Sequence, residues 1–160
     1  MDEPAAIRIL VIAHSRTGST LHLRDAAIEG IVEATPDAEV MVRNAVEANT
    51  DDVRSADAVL FCTPARFGAL AGLTKDFLER IYPWFDEVPD VRPGMPWTAV
   101  VKGATDPSGA TRDLQRILTG LRWKPVLPPV EVVGDVTLAH LAAARELAAT
   151  LAAGTEAGLW

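Results

Sequence analysis

A single cysteine, Cys62, serves a chain of 160 residues. No internal disulfide can therefore staple it, and nothing points to an oxidising compartment. Histidines number three, and no His, Cys and carboxylate group has metal-ligand spacing. No apolar run approaches the roughly 20 residues that cross a bilayer. Basic residues are in the minority, 15 Lys and Arg against 22 Asp and Glu, for a net charge of −7. Nucleic acid and anionic membrane surfaces both require a basic face, so neither is expected as a partner. A local cationic pocket stays compatible with that balance. The opening Met1-Asp2-Glu3-Pro4 is acidic and lacks the basic-then-apolar layout of a signal peptide, so a cytoplasmic location is expected. Internal repeats, low-complexity tracts and interdomain linkers are also missing, and residues 1–160 read as one domain.

What the chain does have is apolar material, 49% of residues, enough to bury a core without staples. Ile7–Ala13 is β-branched and almost continuously apolar, as befits a strand buried on both faces. A small polar stretch, Ser15–Thr20, follows, and then helical spacing over Leu21–Ala34. Ala38–Arg43 is a second strand, and Thr50-Asp51-Asp52 is placed to cap a short helix. Asp57–Cys62 is again a buried type of strand, followed by a loop from Thr63 to Gly72 and a helix from Leu73 to Tyr82 that Pro83 stops. Trp97–Lys102 is a strand, Gly103–Gly109 a loop and Ala110–Leu121 a helix. Val130–Val133 forms the last strand, and Thr137–Ala153 the last helix, closed by Gly154. Such βα alternation implies an α/β fold with a parallel sheet and helices on both faces.

Ligands of such sheets bind at the carboxyl ends of the strands. Three loops meet that description, at Ser15–Thr20, Thr63–Gly72 and Gly103–Gly109. The first has the chemistry of a phosphate cradle. A helix N-terminus offers unpaired N–H donors and partial positive charge, and Ser15, Thr17, Ser19 and Thr20 add hydroxyls. Gly18 permits close backbone approach and a positive φ. Neither a Gly-Lys-Ser/Thr P-loop nor a Gly-x-Gly-x-x-Gly dinucleotide motif is present. The plainer alternative is that Ser19 or Thr17 merely caps the helix.

Ser15-x-Thr17-Gly18-x-Thr20 after an apolar first strand resembles the phosphate loop of flavodoxins and related FMN reductases. The segment Asp57–Arg80, DAVLFCTPARFGALAGLTKDFLER, resembles the matching part of WrbA-type NAD(P)H:quinone oxidoreductases and NADPH-dependent FMN reductases. The resemblance implies a flavodoxin-like three-layer sandwich whose five parallel strands run in the order 2-1-3-4-5. It implies FMN as cofactor, with Ser15, Arg16, Thr17, Gly18, Ser19 and Thr20 around the phosphate. Thr63, Pro64, Ala65, Arg66, Phe67 and Gly68 would line the isoalloxazine ring, completed by Gly103, Ala104 and Thr105 from the third loop. The implied activity passes a hydride from NAD(P)H through the flavin to a quinone or similar small-molecule acceptor, with the flavin carrying the chemistry and no catalytic side chain. In such proteins a neighbouring subunit often finishes the pocket, which leaves room for a homo-oligomer. A flavodoxin-type one-electron carrier and a non-enzymatic protein of the same fold are the alternatives.

The remaining side chains read as follows. Cys62 is a packing residue. His14 and His22 lie near enough in sequence to approach the phosphate, the alternatives being a solvated or a capping role, and His140 is structural. Arg66 has three destinations: the flavin, the nucleotide phosphate or a surface carboxylate. Trp84 and Phe85 wall a pocket, meet a subunit or pack in the core, and Trp97 is core. Asp86, Glu87 and Asp90 form a solvated acidic loop, and Lys75 and Arg80 make surface pairs.

Overall fold

A computed structural model describes residues 5–87 and 92–160. The elements in chain order are β1 (Arg8–Ala13), α1 (Ser19–Ala34), β2 (Glu39–Asn44), α2 (Thr50–Ser55), β3 (Ala58–Arg66), β4 (Ala69–Leu70), α3 (Gly72–Glu87), β5 (Pro96–Gly103), α4 (Ser108–Gly120), β6 (Lys124–Pro125), β7 (Val130–Val133) and α5 (Leu138–Glu156). The main sheet runs β2-β1-β3-β5-β6, and β7 also pairs with β5. This is the expected order with the fifth strand in two pieces. β6 pairs with the start of β5 and β7 with its end. Pro125, Pro128 and Pro129 make an unbroken ladder impossible there, since proline donates no N–H. Thr98 Oγ1 donates to the Leu127 carbonyl at 3.0 Å and anchors the detour.

The central strands are buried on both faces, which is why they read as apolar runs. Leu10, Ile12, Val59 and Phe61 face one core with Val53, Phe77, Ile81 and Leu114. Ile9, Val11, Leu60 and Cys62 face the other, beneath Leu23, Ile31, Leu147 and Leu151. Thus α1 and α5 cover one side, and α2, α3 and α4 the other.

Four local expectations need correction. The cap of α2 is Asn49, whose side chain accepts from Asp51 and Asp52 N–H, with Asp52 returning the bond. Pro83 does not stop α3; it lies inside the helix. A helix-interior proline costs about 3 kcal/mol, but Phe77, Leu78 and Ile81 are fully buried. Each such side chain contributes about 1.5–3 kcal/mol, so packing outweighs the lost bond. Gly154 does not close α5 either, because the helix runs on to Glu156. A Cβ at Gly154 would collide with the Trp160 indole, so glycine is what lets that ring lie against α5. Finally, Thr63–Gly72 is not all loop. β3 continues to Arg66 and turns at Phe67-Gly68 into β4.

Among the described residues, no helix is long and apolar enough to cross a membrane. No group of three or more His, Cys, Asp or Glu among them is arranged to hold a metal ion.

Candidate functional site

The ends of β1, β3 and β5 lie side by side. Ala13 is opposite Cys62, Thr63 opposite Val101 and Pro64 opposite Lys102. The three loops therefore leave the sheet from one edge. His14 N–H donates to the Cys62 carbonyl at 3.0 Å and ties the first loop to β3.

The first loop ends in Gly18, the N-cap of α1, in a left-handed conformation with φ +90°. Its N–H donates to Ser15 Oγ at 2.9 Å, and the Thr17 and Ser19 hydroxyls bond each other at 3.2 Å. No side chain caps α1. The alternative in which Ser19 or Thr17 caps the helix is thus set aside. In the first turn Leu21 N–H donates back to the Gly18 carbonyl at 3.1 Å, which leaves the Ser19 and Thr20 N–H groups without a protein acceptor among the described residues. Nothing stands within 4 Å of the position a Gly18 Cβ would occupy.

The second loop is a hairpin. Phe67 and Gly68 take φ +51° and +73°, the double positive φ of a two-residue turn matched to strand twist. The Phe67 side chain is fully exposed at the tip. Behind it, Thr63 is buried, its hydroxyl 2.7 Å from that of Thr74, and Pro64 is buried in the sheet. These two side chains build the base of the hairpin; Ala65, Arg66, Phe67 and Gly68 are the part that reaches outward. Two contacts pin the hairpin to α4. Leu70 N–H donates to Asp113 Oδ2 at 3.0 Å, and a Cβ at Gly109 would collide with the Gly68 carbonyl.

In the third loop Gly103 is buried and its carbonyl accepts from Gly134 N–H at 2.8 Å. Ala104 and Thr105 are exposed. Asp106 accepts from Ser108 N–H at 2.9 Å, and the Ser108 hydroxyl, then its N–H, with Arg112 nearby, hold the Asp106 carboxyl below the usual range.

Between the first loop and the hairpin lies a cleft of about 570 Å³. His14, Arg16, Arg66, Phe67, Leu70, Gly72 and Leu73 line it. Of the residues expected at the site, the cleft brings together Arg16, Arg66 and Phe67; the third loop does not line it. Leu70 and Leu73 escaped the sequence reading because an apolar residue beside a helix start looks like core. Leu73 is in fact 38% exposed. Burial, then Arg66 and Arg16, push the His14 pKa down, so its imidazole is neutral at pH 7.

Other residues find plainer places. Cys62 is fully buried and burial pushes its thiol up to about 12. Native protein is expected to resist iodoacetamide near about pH 8 and to take one label on unfolding; labelling of the folded chain would show the strand opens. His22 faces the groove between α1 and α5. His140 Nδ1 accepts from Thr137 N–H at the start of α5, a capping role. Trp97 is core, and Trp84 packs half-buried against the same cluster with the Arg54 guanidinium 5.1 Å from its ring. Arg80 exceeds a surface pair: beyond Asp76 it donates to the Ala45 and Ala48 carbonyls and clamps the turn after β2. Lys75 makes no ion pair among the described residues. Asp90, Met1-Asp2-Glu3-Pro4 and the side chains of Phe85 and Asp86 lie outside the described residues.

The model of the NADPH-dependent FMN reductase family matches residues 9–137. An NAD(P)H dehydrogenase (quinone) of Acidithiobacillus ferrooxidans is 33% identical over 92 residues, 46% of each chain. One of Archaeoglobus fulgidus is 32% identical over 95 residues, 45% of this chain and 50% of the relative. The chain thus spans about half the length of the curated relatives it matches. Among solved structures, a flavodoxin from the domain Archaea superposes with a TM-score of 0.81 at 14% identity, covering 94% of this chain and 99% of the other. A WrbA-like flavodoxin from Agrobacterium tumefaciens gives 0.78 at 18% identity, covering 95% and 99%. At such identity the likeness shows the fold.

Proposed function

Because the chain belongs to the NADPH-dependent FMN reductase family, we propose that it is an FMN-dependent NAD(P)H oxidoreductase that delivers electrons to a quinone or similar small acceptor. The observation that carries this reading is the open N-terminus of α1. Gly18 in the left-handed conformation, no capping side chain and four hydroxyl residues in one turn of chain suit a phosphate dianion. The names of the curated relatives agree with the activity.

The donor set fits FMN. Ser15, Arg16, Thr17, Gly18, Ser19 and Thr20 would hold the phosphate through N–H groups, hydroxyls and one guanidinium. Ala65, Arg66, Phe67 and Gly68, with Ala104 and Thr105, would hold the ring, on a base that buried Thr63, Pro64 and Gly103 provide. FMN, when bound, supplies the hydride-accepting and electron-donating chemistry that side chains lack. The protein's own work is to bind, to orient and to favour negative charge. Backbone N–H groups of the hairpin and the Arg66 guanidinium would favour the charge that reduction brings. Neutral His14 adds none of its own. We place the whole of residues 1–160 in this one FMN-binding unit, cytoplasmic, with a second subunit free to complete the pocket.

Added FMN should lose its fluorescence on binding. Under anaerobic conditions NADPH or NADH should then bleach the flavin band near about 450 nm. Failure to quench FMN would remove the cofactor; quenching with no bleaching by either nucleotide would leave a flavin protein but not this enzyme.

A further inference from the structure

The hairpin that carries Ala65 to Gly68 is too short to hold itself. Its second strand, β4, is Ala69 and Leu70 alone, and it pairs with β3 only at Ala65 and Arg66. Even a longer hairpin is marginal in water. Leu70 is buried at the far end, but Phe67 at the tip is fully exposed and sits at φ +51°, where a bulky residue is uncommon. A support outside the ladder must fix the tip, and α4 provides one at two points. A helix rises about 6 Å over four residues and a strand about 7 Å over two. Gly109 and Asp113 on α4 therefore match Gly68 and Leu70 on the hairpin. At the first point the backbones touch, since a Cβ at Gly109 would meet the Gly68 carbonyl. At the second, Asp113 Oδ2 accepts from Leu70 N–H at 3.0 Å, and its Oδ1 accepts from Arg116 at 2.9 Å. The third loop hangs from the same helix. It ends where α4 starts, with Asp106 accepting from Ser108 N–H, and Gly103 lies so close that its Cβ would stand 3.0 Å from the Pro107 nitrogen. Buried Ala110, Leu114 and Leu118 seat α4 on the core, so the helix is a fixed reference for both segments.

We propose that Asp113 and Gly109 are positioning residues for the ring side of the site: they clamp the hairpin to α4 and so set its distance from Ala104 and Thr105. Both act through the hairpin. What the hairpin binds rests on the flavin reading above; how it is held does not. A carboxylate suits the role because the carbonyls along α4 are taken up by the helix. A charged acceptor also makes a bond roughly twice as strong as a neutral one.

The test measures FMN and riboflavin binding by fluorescence quenching, and tryptic cleavage of the flavin-free protein. Asp113→Ala is expected to weaken both flavins by the same factor, about tenfold, because a hairpin in place one-tenth of the time lowers apparent affinity by that fraction. Riboflavin carries the ring without the phosphate, so an equal loss locates the effect on the ring side. Asp113→Asn keeps an oxygen for Leu70 N–H and should stay within about threefold of native. Gly109→Ala should repeat the equal loss by displacing the Gly68 carbonyl. Without flavin, trypsin should cut between Arg66 and Phe67 about tenfold faster in Asp113→Ala than in native protein, because the tip opens locally more often. Native affinity for both flavins in Asp113→Ala and Gly109→Ala overturns the proposal. So does a loss confined to FMN, or an asparagine variant as impaired as the alanine one. Native protein that binds neither flavin refutes the flavin reading, and trypsin then decides the clamp: faster cutting at Arg66 in Asp113→Ala upholds it, and equal cutting overturns it.

Discussion

Gly18→Val is expected to lower FMN affinity by about a hundredfold or more while the chain stays folded. Gly18 holds φ +90° as the N-cap of α1. A side chain in the left-handed region costs about 1–2 kcal/mol, and a β-branched one more. That is tolerable against a typical stability of about 5–15 kcal/mol. No protein atom obstructs the new side chain, since the Cβ position has nothing within 4 Å. The open space is the approach to the helix N–H groups, which valine would fill. Loss of one or two charge-assisted bonds, each worth about 1.5–3 kcal/mol, sets the size of the effect. Riboflavin, which has the ring but no phosphate, provides the control. Native protein should bind FMN far more tightly than riboflavin, and the variant should bind the two alike. An unchanged FMN affinity would mean that the phosphate lies elsewhere.

Gly30→Ala should destabilise the protein by about 2–3 kcal/mol, lowering Tm by about 5–10 °C in a chain of this size. Alanine normally improves a helix interior by roughly 0.5–1 kcal/mol over glycine. Here a Cβ at Gly30 would collide with the Arg145 carbonyl of α5. That atom belongs to a helix backbone and cannot rotate aside, so α1 and α5 would have to separate. Leu23, Ala27 and Ile31, packed with Leu147 and Leu151, would loosen with them. The Arg145 ion pairs with Glu29 and Glu33 also join these helices. All three side chains are substantially exposed, so Arg145→Ala should cost under about 1 kcal/mol. Thermal denaturation of both variants separates the two contributions. A Gly30→Ala protein more stable than native would show that the helix crossing relaxes and propensity wins.

The strands were legible because β1 and β3 are buried on both faces, and consecutive residues alone record that. Val130–Val133 was placed to the residue, and β1, β2, β3 and β5 to within a few positions at their ends, whereas β6 was not read as a strand. The phosphate-loop pattern was legible for a similar reason: Ser15–Thr20 are contiguous, and their hydroxyls and glycine act within one turn of chain. The hairpin tip at Phe67-Gly68 was not. Proline and two glycines near a strand end look like a loop, and only pairing between Ala65 and Leu70 and between Arg66 and Ala69 makes it a strand.

Pro83, Gly154 and Gly30 carry the same lesson from the other side. Local propensity makes a proline a stop and a glycine an end or a weak point. Pro83 and Gly30 were overruled or explained by partners far away in sequence, the core under α3 and the Arg145 carbonyl against α1, and Gly154 by Trp160, which meets it only because the chain folds back after α5. The cleft is of this kind too. Arg16 and Arg66 belong to different loops, and nothing in either stretch says that they share a space without a carboxylate. Periodicity and contiguous motifs set the class of fold, the order of elements and the phosphate loop, because those rest on forces acting within a few residues. Which helix could approach which, and where unpaired charge would collect, depended on the distances that packing establishes between segments remote in the chain.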